Sequence, residues 1–336
     1  MRNYTIIKYS IFLFMLSQLL SVDKAGTTSA KFLSIGAGSA AVSMGGAFTS
    51  IANDATAMYW NPAGISFYNM REVYFNHSNW IADISHDYFG LTIPLNSKNT
   101  IGFNLISVTM DDMEVTRYGN EDTGETFKAA DYALGVSYAV NFTDRFSIGF
   151  NGKYIQQMIA SSYARGLALD IGTLFDTPFG FRLGTSISNF GPKLKMTGDD
   201  LLVAADVDQT IEGNNESVIS VLSTDYFDLP LVLRFGISDN VKVGKLLKML
   251  WSVDAVSPND NTNYINIGLE FSFLNDLLRL RSGINSLFLS DNEKEFSLGL
   301  GLKIPSIGKN NILMNYSYES MKFLGVTQQI GISFAY

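Results

Sequence analysis

Along most of the chain, bulky apolar residues alternate with small or polar ones with a period of two. From residue 330 to residue 336, the even positions hold Ile, Ile, Phe and Tyr, and the odd positions hold Gly, Ser and Ala. Because a β-strand sends successive side chains to opposite faces, this pattern predicts a strand with one wholly apolar face. The same alternation recurs in residues 132–140, 146–151, 231–238, 265–273 and 296–303.

Full charges lie among the small and polar positions of these segments. A soluble β-sandwich also alternates, but a membrane barrel turns its bulky residues to lipid and its polar residues to the lumen. The segments are about 9–11 residues long, which suits a tilted membrane strand. We therefore predict a wet lumen faced by Lys153, Asp170, Arg182, Arg234, Asp254, Glu270, Arg279, Arg281, Lys303 and Glu319.

The resulting fold class is all-β, a fourteen-stranded antiparallel transmembrane β-barrel with an N-terminal plug. An even strand number is expected of bacterial single-chain barrels. The two longest connections, residues 111–129 and 190–229, are the third and the seventh, so both leave the same end of the barrel. The strands are predicted to start near Glu72, Ser85, Thr100, Ala130, Arg145, Arg165, Gly180, Pro230, Lys248, Tyr264, Leu277, Glu295, Asn311 and Thr327.

Two segments precede the barrel, which we assign to residues 71–336. Residues 1–25 combine Arg2 and Lys8 with a short apolar run at 11–20, which predicts a secretory signal peptide. The alternative is an uncleaved N-terminal anchor. Residues 26–70 are rich in Gly, Ala and Ser and lack the period of two. We predict that they form a plug of short helices and turns inside the periplasmic half of the barrel.

The amino-acid composition excludes or disfavours several classes of protein. The chain has no cysteine, which excludes disulfide scaffolds, cysteine-ligated zinc sites and cysteine nucleophiles. Its formal net charge of −8, with scattered basic residues, argues against a nucleic-acid partner. His77 and His86 are the only histidines, and no serine–histidine–aspartate arrangement can be inferred from the sequence. We therefore predict no catalytic residue, no metal, no cofactor and no enzymatic activity.

Residues 52–64 read ANDATAMYWNPAG and resemble the signature of the FadL-type long-chain fatty-acid transporters. The closer resemblance is to the PorV/PorQ family, which belongs to the same superfamily of fourteen-stranded barrels with an N-terminal hatch. Residues 26–36, 257–261, 266–270, 280–283 and 298–301 also resemble that family. The motif residues in the plug are Asn53, Asp54, Trp60, Asn61, Pro62 and Gly64.

This resemblance implies a protein of the Gram-negative outer membrane, reached after cleavage of the signal peptide. It further implies an accessory role in type IX protein secretion, in cargo handling or surface attachment. The implied partners are the lipid bilayer, secreted cargo proteins and other components of the secretion system. The alternative is a FadL-like channel that takes up a hydrophobic small molecule.

Two groups of residues are candidates for binding. In the seventh connection, the apolar residues Leu201, Leu202, Val203, Val221 and Leu222 can cover the barrel mouth or bind a partner protein. The lumen charges Arg182, Arg234, Asp254, Arg279 and Arg281 either pair into an internal network or offer arginines to an anionic headgroup or carboxylate.

The third and seventh connections are also acidic. A solvated surface is the simple interpretation, and a Ca²⁺ site is the alternative because oxygen ligands are abundant. These acidic residues are Asp111, Asp112, Glu114, Glu121, Asp122, Glu125, Asp199, Asp200, Asp206, Asp208, Glu212 and Glu216.

Overall fold

The computed structural model describes residues 26–67, 70–120, 122–206, 210, 218–243, 247–289, 292–305 and 310–336. The predicted signal peptide, residues 1–25, lies outside the described residues, as do the loop acids Glu121, Asp208, Glu212 and Glu216. No helix in the described ranges has the length and hydropathy of a membrane span.

Within the described residues, fourteen antiparallel strands close into a barrel, which confirms the predicted fold class. Each strand pairs with its neighbours in the chain, and the last pairs with the first from Glu72↔Ala335 to Asn79↔Gln328. Every predicted start lies within three residues of an observed one. The strands are β1 Glu72–Asn79, β2 Ser85–Pro94, β3 Asn99–Thr109, β4 Ala129–Thr143, β5 Phe146–Ile159, β6 Ser162–Asp176, β7 Arg182–Phe190, β8 Val232–Val243, β9 Leu247–Pro258, β10 Tyr264–Phe273, β11 Leu278–Leu287, β12 Lys294–Pro305, β13 Asn311–Met321 and β14 Gly325–Ala335.

The two ends of the barrel differ. The loop end carries the long connections β3–β4 and β7–β8, which hold the two-stranded ladders Met113–Glu114 with Thr126–Phe127, Leu194–Lys195 with Tyr226–Phe227, and Leu202–Ala205 with Val218–Val221. There Thr197–Gly198 also adds to β6, and 3₁₀ turns form at Ile81–Asp83 and Asp199–Leu201. The turn end carries the barrel termini, where Arg71 and Tyr336 exchange backbone hydrogen bonds of 3.1 and 2.9 Å.

The outer face of the barrel is apolar in the manner expected against lipid. On β4, four alternating residues point outward, from Tyr132 through Leu134 and Val136 to Tyr138, and each is more than a third exposed. A tyrosine lies at each end of this band, where aromatic girdles meet the membrane interface. Because β4 is 15 residues long, it extends beyond the band, and the longest strands exceed the length predicted from the sequence.

Residues 26–67 fill the inside of the barrel instead of leaving a wet lumen. They form the 3₁₀ turns Lys31–Ser34 and Pro62–Ser66 and the short helices α1 Ser39–Ser43 and α2 Ala57–Trp60. Asn61 begins the second 3₁₀ turn, because its side chain accepts a hydrogen bond from the Ala63 N–H, and proline follows at the first helical position. We call residues 26–67 the plug.

The plug approaches the wall closely wherever the wall carries a glycine. A side chain at the inward-facing Gly149 would collide with the Pro62 and Ala63 backbone, and one at Gly283 would collide with Met44 and Gly45. The small positions of the alternation therefore make room for the plug rather than for water. The wall glycines that face the plug in this way are Gly90, Gly102, Gly149, Gly172, Gly184, Gly236, Gly268, Gly283, Gly299 and Gly331.

We expect Gly149→Ala to destabilise the folded barrel by about 1–3 kcal/mol, because an extra methyl group is forced into a filled interior. Gly152→Ala is the matched control on the same strand, since no atom lies near its outward-facing position. The measurement is the shift of heat-induced unfolding in detergent. Equal unfolding temperatures for the two variants would contradict the close fit between plug and wall.

Candidate functional site

Polar side chains of the barrel wall hold the plug by its backbone. Asn76 accepts a hydrogen bond from the Ser39 N–H at 2.9 Å, and Ser297 accepts one from the Gly45 N–H at 3.0 Å. From β5, Asn151 donates to the Met58 carbonyl at 3.2 Å. An irregular segment inside a barrel cannot satisfy its own N–H and C=O groups, so the wall supplies their partners.

Two buried carboxylates serve the same purpose. Asp254 on β9 accepts the Thr49 N–H at 2.8 Å, and Glu72 at the start of β1 accepts the Ala55 N–H at 2.8 Å. Both residues are almost completely shielded from solvent. The predicted lumen charge Asp254 therefore fixes the position of the plug.

The motif residues divide between the interior of the plug and its turn-end surface. Trp60 donates from Nε1 to the Ala37 carbonyl at 2.8 Å, and Asn61 donates from Nδ2 to the Thr49 and Thr173 carbonyls at 2.8 and 3.0 Å. Gly64 lies against the Ala52 carbonyl, where a Cβ would not fit. Asn53 and Asp54 instead line cavities at the turn end. Most of this motif thus joins the plug to itself and to the wall.

Protonation within the plug is shaped by burial. Burial raises the pKa of the Asp54 carboxyl, and hydrogen bonds donated by the Thr56 side chain and backbone act in the opposite direction. Burial also raises the pKa of the Tyr59 hydroxyl to about 12, and that hydroxyl donates to the Leu33 carbonyl at 3.0 Å. Tyr59 is therefore a neutral hydrogen-bond donor at physiological pH.

The four predicted lumen arginines have different surroundings. Arg182 binds Asp176 with two nitrogens at 2.5 and 3.0 Å, and Arg281 binds Glu270 at 2.6 Å. Arg234 donates to Ser188 at 3.0 Å and lies 5.4 Å from the ring centroid of Trp60. Arg279 lines a turn-end cavity and makes no ion pair with a described residue.

A further ion pair is buried between β5 and β6. Lys153 and Asp170 approach to 2.8 Å, with side chains 4% and 0% exposed. Asp170 also accepts the Asn189 N–H at 2.7 Å and the Asn151 side chain at 3.0 Å. Asn189 has a left-handed backbone with φ of 65°, a conformation that Asn tolerates better than most residues. The carboxylate thus holds the end of β7 against β6.

We expect Asp170→Asn to destabilise the barrel by roughly 3 kcal/mol or more, because it leaves the Lys153 ammonium buried without its counter-ion. The matched control is Glu125→Gln, which breaks the exposed Arg117–Glu125 pair at 2.7 Å and should cost below about 1 kcal/mol. Urea unfolding from lipid vesicles measures both. A similar loss of unfolding free energy in the two variants would contradict this role for Asp170.

The N-terminal end of the plug reaches the loop end of the barrel. The Ser29 N–H donates to the Asp228 carbonyl at 2.9 Å, and the Ala30 N–H donates to the Gln157 side chain at 2.8 Å. Lys31 binds Asp260 at 2.5 Å. We call residues 28–31 the N-terminal clip. The plug therefore spans both ends, whereas the sequence suggested only the periplasmic half, because these long-range contacts leave no local pattern.

A cysteine introduced at Thr27 should react with a membrane-impermeant maleimide on intact cells, because Thr27 is exposed beside the clip. A cysteine at Asp144, exposed in the β4–β5 turn, should react only after the outer membrane is opened. The native chain has no cysteine, so the label reports each site alone. The opposite pattern of labelling would contradict either the path of the plug or the outward orientation of the loop end.

Apolar residues close the mouth at the loop end. Leu194 and Leu229 of the seventh connection share one buried cluster with Phe32 and Leu33 of the plug and with Ile155 of β5. Leu194 and Leu229 are each about 2% exposed. The seventh connection thus folds inward and covers the plug.

The five predicted partner-binding residues lie close together in the seventh connection, but Val203 points to the opposite face from Leu202 and Val221. Leu202–Ala205 pairs with Val218–Val221, and the Leu222 N–H donates to the Leu201 carbonyl at 2.8 Å. Directly opposed residues share a face, so Leu202 and Val221 lie on the same side as Ala204 and Ile219. We call this pair of strands the loop hairpin. Its apolar face is open to solvent, with Ile219 77% and Val221 66% exposed.

The two histidines do not form a pair. His77 points outward from β1 and lies 2.7 Å from Asp87, whereas His86 points inward from β2 and is buried. Within the described ranges, no group of three or more His, Asp or Glu side chains is placed to hold a metal ion.

Sequence reasoning missed the wall residues that bind the plug backbone. Glu72, Asn76, Asn151 and Ser297 all occupy inward positions of the alternation, which is the signal that could have identified them. A buried Asn or Glu on a strand needs a partner, and the plug backbone is the nearest source of unpaired N–H and C=O groups.

Comparisons with known proteins agree with this architecture. The family model described as type IX secretion system protein PorV matches residues 20–202, more than half of the chain. A comparison with curated proteins finds no significant match.

Solved structures share the fold at low sequence identity. The Pseudomonas putida toluene transporter TodX matches with a TM-score of 0.57 and 12% identity, over 89% of this chain and 97% of TodX. The CymD monoaromatic hydrocarbon channel matches with a TM-score of 0.57 and 12% identity, over 90% and 97% of the two chains. A Pseudomonas aeruginosa FadL homologue matches with a TM-score of 0.54 and 13% identity, over 89% and 97%.

Proposed function

The chain belongs to the family of the type IX secretion system protein PorV, and we propose that it serves type IX secretion as an accessory barrel of the Gram-negative outer membrane. In this role it receives secreted proteins, or a component that carries them, at its loop end. The signal peptide is removed on export, and the loop end faces the outside of the cell. The family match over residues 20–202 is the observation that carries the proposal.

The filled interior supports a role at the surface of the barrel rather than through it. The plug occupies the inside, and the cluster around Leu194 and Leu229 covers the loop end. A partner protein therefore meets the loop-end face, not an open channel.

The loop hairpin is the part of that face best suited to a protein partner. Its outward side presents Leu202, Ile219 and Val221, and Leu222 follows directly with 53% exposure. Exposed apolar patches of this kind are uncommon on surfaces without a partner, and buried anchors at the centre of an interface contribute most of its affinity. The acidic residues at the same end, among them Asp199 and Asp200, favour a partner with basic residues around an apolar surface.

Uptake of hydrophobic molecules, the other role suggested by the fold, receives less support. The similarity to toluene transporters lies at 12% identity and concerns the fold alone. A hydrophobic substrate needs an apolar path into the lumen, whereas the turn-end cavities are lined by Arg182, Lys248, Glu270 and other charged groups.

We expect Ile219→Asp with Val221→Asp to reduce export of type IX cargo and co-purification of secretion components by at least about tenfold, since a charge in a buried apolar contact costs several kcal/mol. Ser220→Asp is the matched control, because Ser220 lies on the opposite face of the same strand. Cargo in the culture medium and partners bound to the tagged barrel are the two measurements, in a strain with a type IX translocon.

Two outcomes separate the parts of this proposal. Unchanged export in the double variant, with export lost on deletion of the gene, would move the docking site away from the loop hairpin. The secretion role itself would be contradicted if deletion of the gene left cargo export unchanged and if the purified native protein carried lipid but no secretion component.

A further inference from the structure

A charged cavity lies between the plug and the wall at the turn end of the barrel. Its volume is about 230 Å³, and strands β8–β11 and β13 form its outer side. A second cavity of about 260 Å³ adjoins it, since both are lined by Ile51, Asn53, Asn240 and Leu250. Both cavities lie at the opposite end from the loop hairpin, and a binding site there is independent of the secretion role.

Five of the six charged side chains that line the first cavity are already engaged. Arg281 binds Glu270 at 2.6 Å, and Lys248 binds Asp276 at 2.7 Å. Asp54 accepts hydrogen bonds from the Thr56 backbone and side chain at 2.9 and 2.5 Å. Each carboxylate in the cavity therefore has donors of its own.

Arg279 is the sixth charge, and it differs from the others. It makes neither an ion pair nor a hydrogen bond with any described residue, and its Nε atom is buried without an acceptor. A guanidinium carries five N–H donors in a planar fork, and a buried N–H without an acceptor is costly. The Arg279 side chain as a whole is half-buried, and its charge also interacts at longer range with the Glu270 and Asp54 carboxylates. The cavity therefore presents one donor group that lacks a partner.

We propose that this cavity binds a carboxylate group through Arg279. The fork of a guanidinium matches the two oxygens of a carboxylate in a bidentate pair. The three cations and three acids of the cavity cancel, so a group with a single negative charge suits it better than a doubly charged phosphate. Met44, Phe48 and Leu313 line the same space and provide contacts for a short apolar body attached to the carboxylate.

This chemistry has two possible sources on the turn-end side. One is a free short-chain acid, and the other is the C-terminal carboxylate of a polypeptide. Both use the same contact with Arg279, and they differ in the chemical group that the carboxylate is attached to: a short hydrocarbon chain in the acid, and a peptide backbone in the polypeptide.

The test uses the full-length protein in detergent micelles, titrated with ¹³C-labelled butyrate and followed by NMR line broadening. We expect butyrate to bind, and neutral butyramide to show no broadening. Arg279→Gln should weaken butyrate binding by at least about tenfold, because hydrogen bonds to charged groups are the strong ones. Arg279→Lys should bind butyrate with an affinity between those of the native protein and Arg279→Gln, since lysine keeps the positive charge but lacks the planar fork of donors. Arg145→Gln, an exposed arginine at the same end, is the matched control and should bind as the native protein does.

Trialanine and trialanine amide distinguish the two sources. Tighter binding of trialanine than of butyrate, with no binding of the amide, supports the site and assigns it to a polypeptide terminus. Binding of butyrate alone supports the site and assigns it to a small acid. The proposal is overturned if butyrate fails to bind the native protein, if butyramide binds equally, or if folded Arg279→Gln binds like the native protein. The comparison of butyrate with butyramide needs no variant, so it holds even if Arg279→Gln fails to fold.

Discussion

The close approach of the plug backbone to the glycine positions of the barrel wall is the contact on which the rest of the structure depends. At Gly149 and Gly283 the wall offers only a backbone surface, and the plug fills the space that a larger residue would take. The plug is in turn rich in Gly, Ala and Ser, so the side chains on both surfaces are small enough for the two backbones to approach closely. Dispersion contacts between two such surfaces are individually small and add up only because the fit is continuous.

Polar groups then decide where along the wall the plug rests. Dispersion has no direction, but the hydrogen bonds that Asn76, Asp254 and Ser297 accept each specify one backbone N–H of the plug. The interior charges that would suit a wet channel are thus used for placement. This arrangement explains how a barrel wall rich in ionised side chains can enclose a filled interior, since each buried charge among the described residues has a partner or faces a turn-end cavity.

The strands were predictable because alternation is a local property of the chain. A period of two can be read from ten residues, and a short hairpin turn sets which residues oppose each other. The pairing of Glu270 with Arg281 follows from the β10–β11 turn in this way. The contacts of the plug could not be predicted in the same way. Asp254 and Thr49 are 205 positions apart, and no local pattern near either residue indicates that they meet. For the same reason the sequence could not distinguish Arg279 from the other three predicted lumen arginines, because the difference lies in the surroundings that the fold gives it.

The N-terminal clip has a consequence for biogenesis. The polypeptide enters the barrel at the loop end, where Lys31 meets Asp260, and leaves it at the turn end, where Arg71 meets Tyr336. A finished cylinder has no side entrance through which such a segment could be inserted. Residues 26–67 are synthesised before every strand, so the growing sheet can curl around them before β1 and β14 join, and the plug then serves as the core around which the cylinder closes.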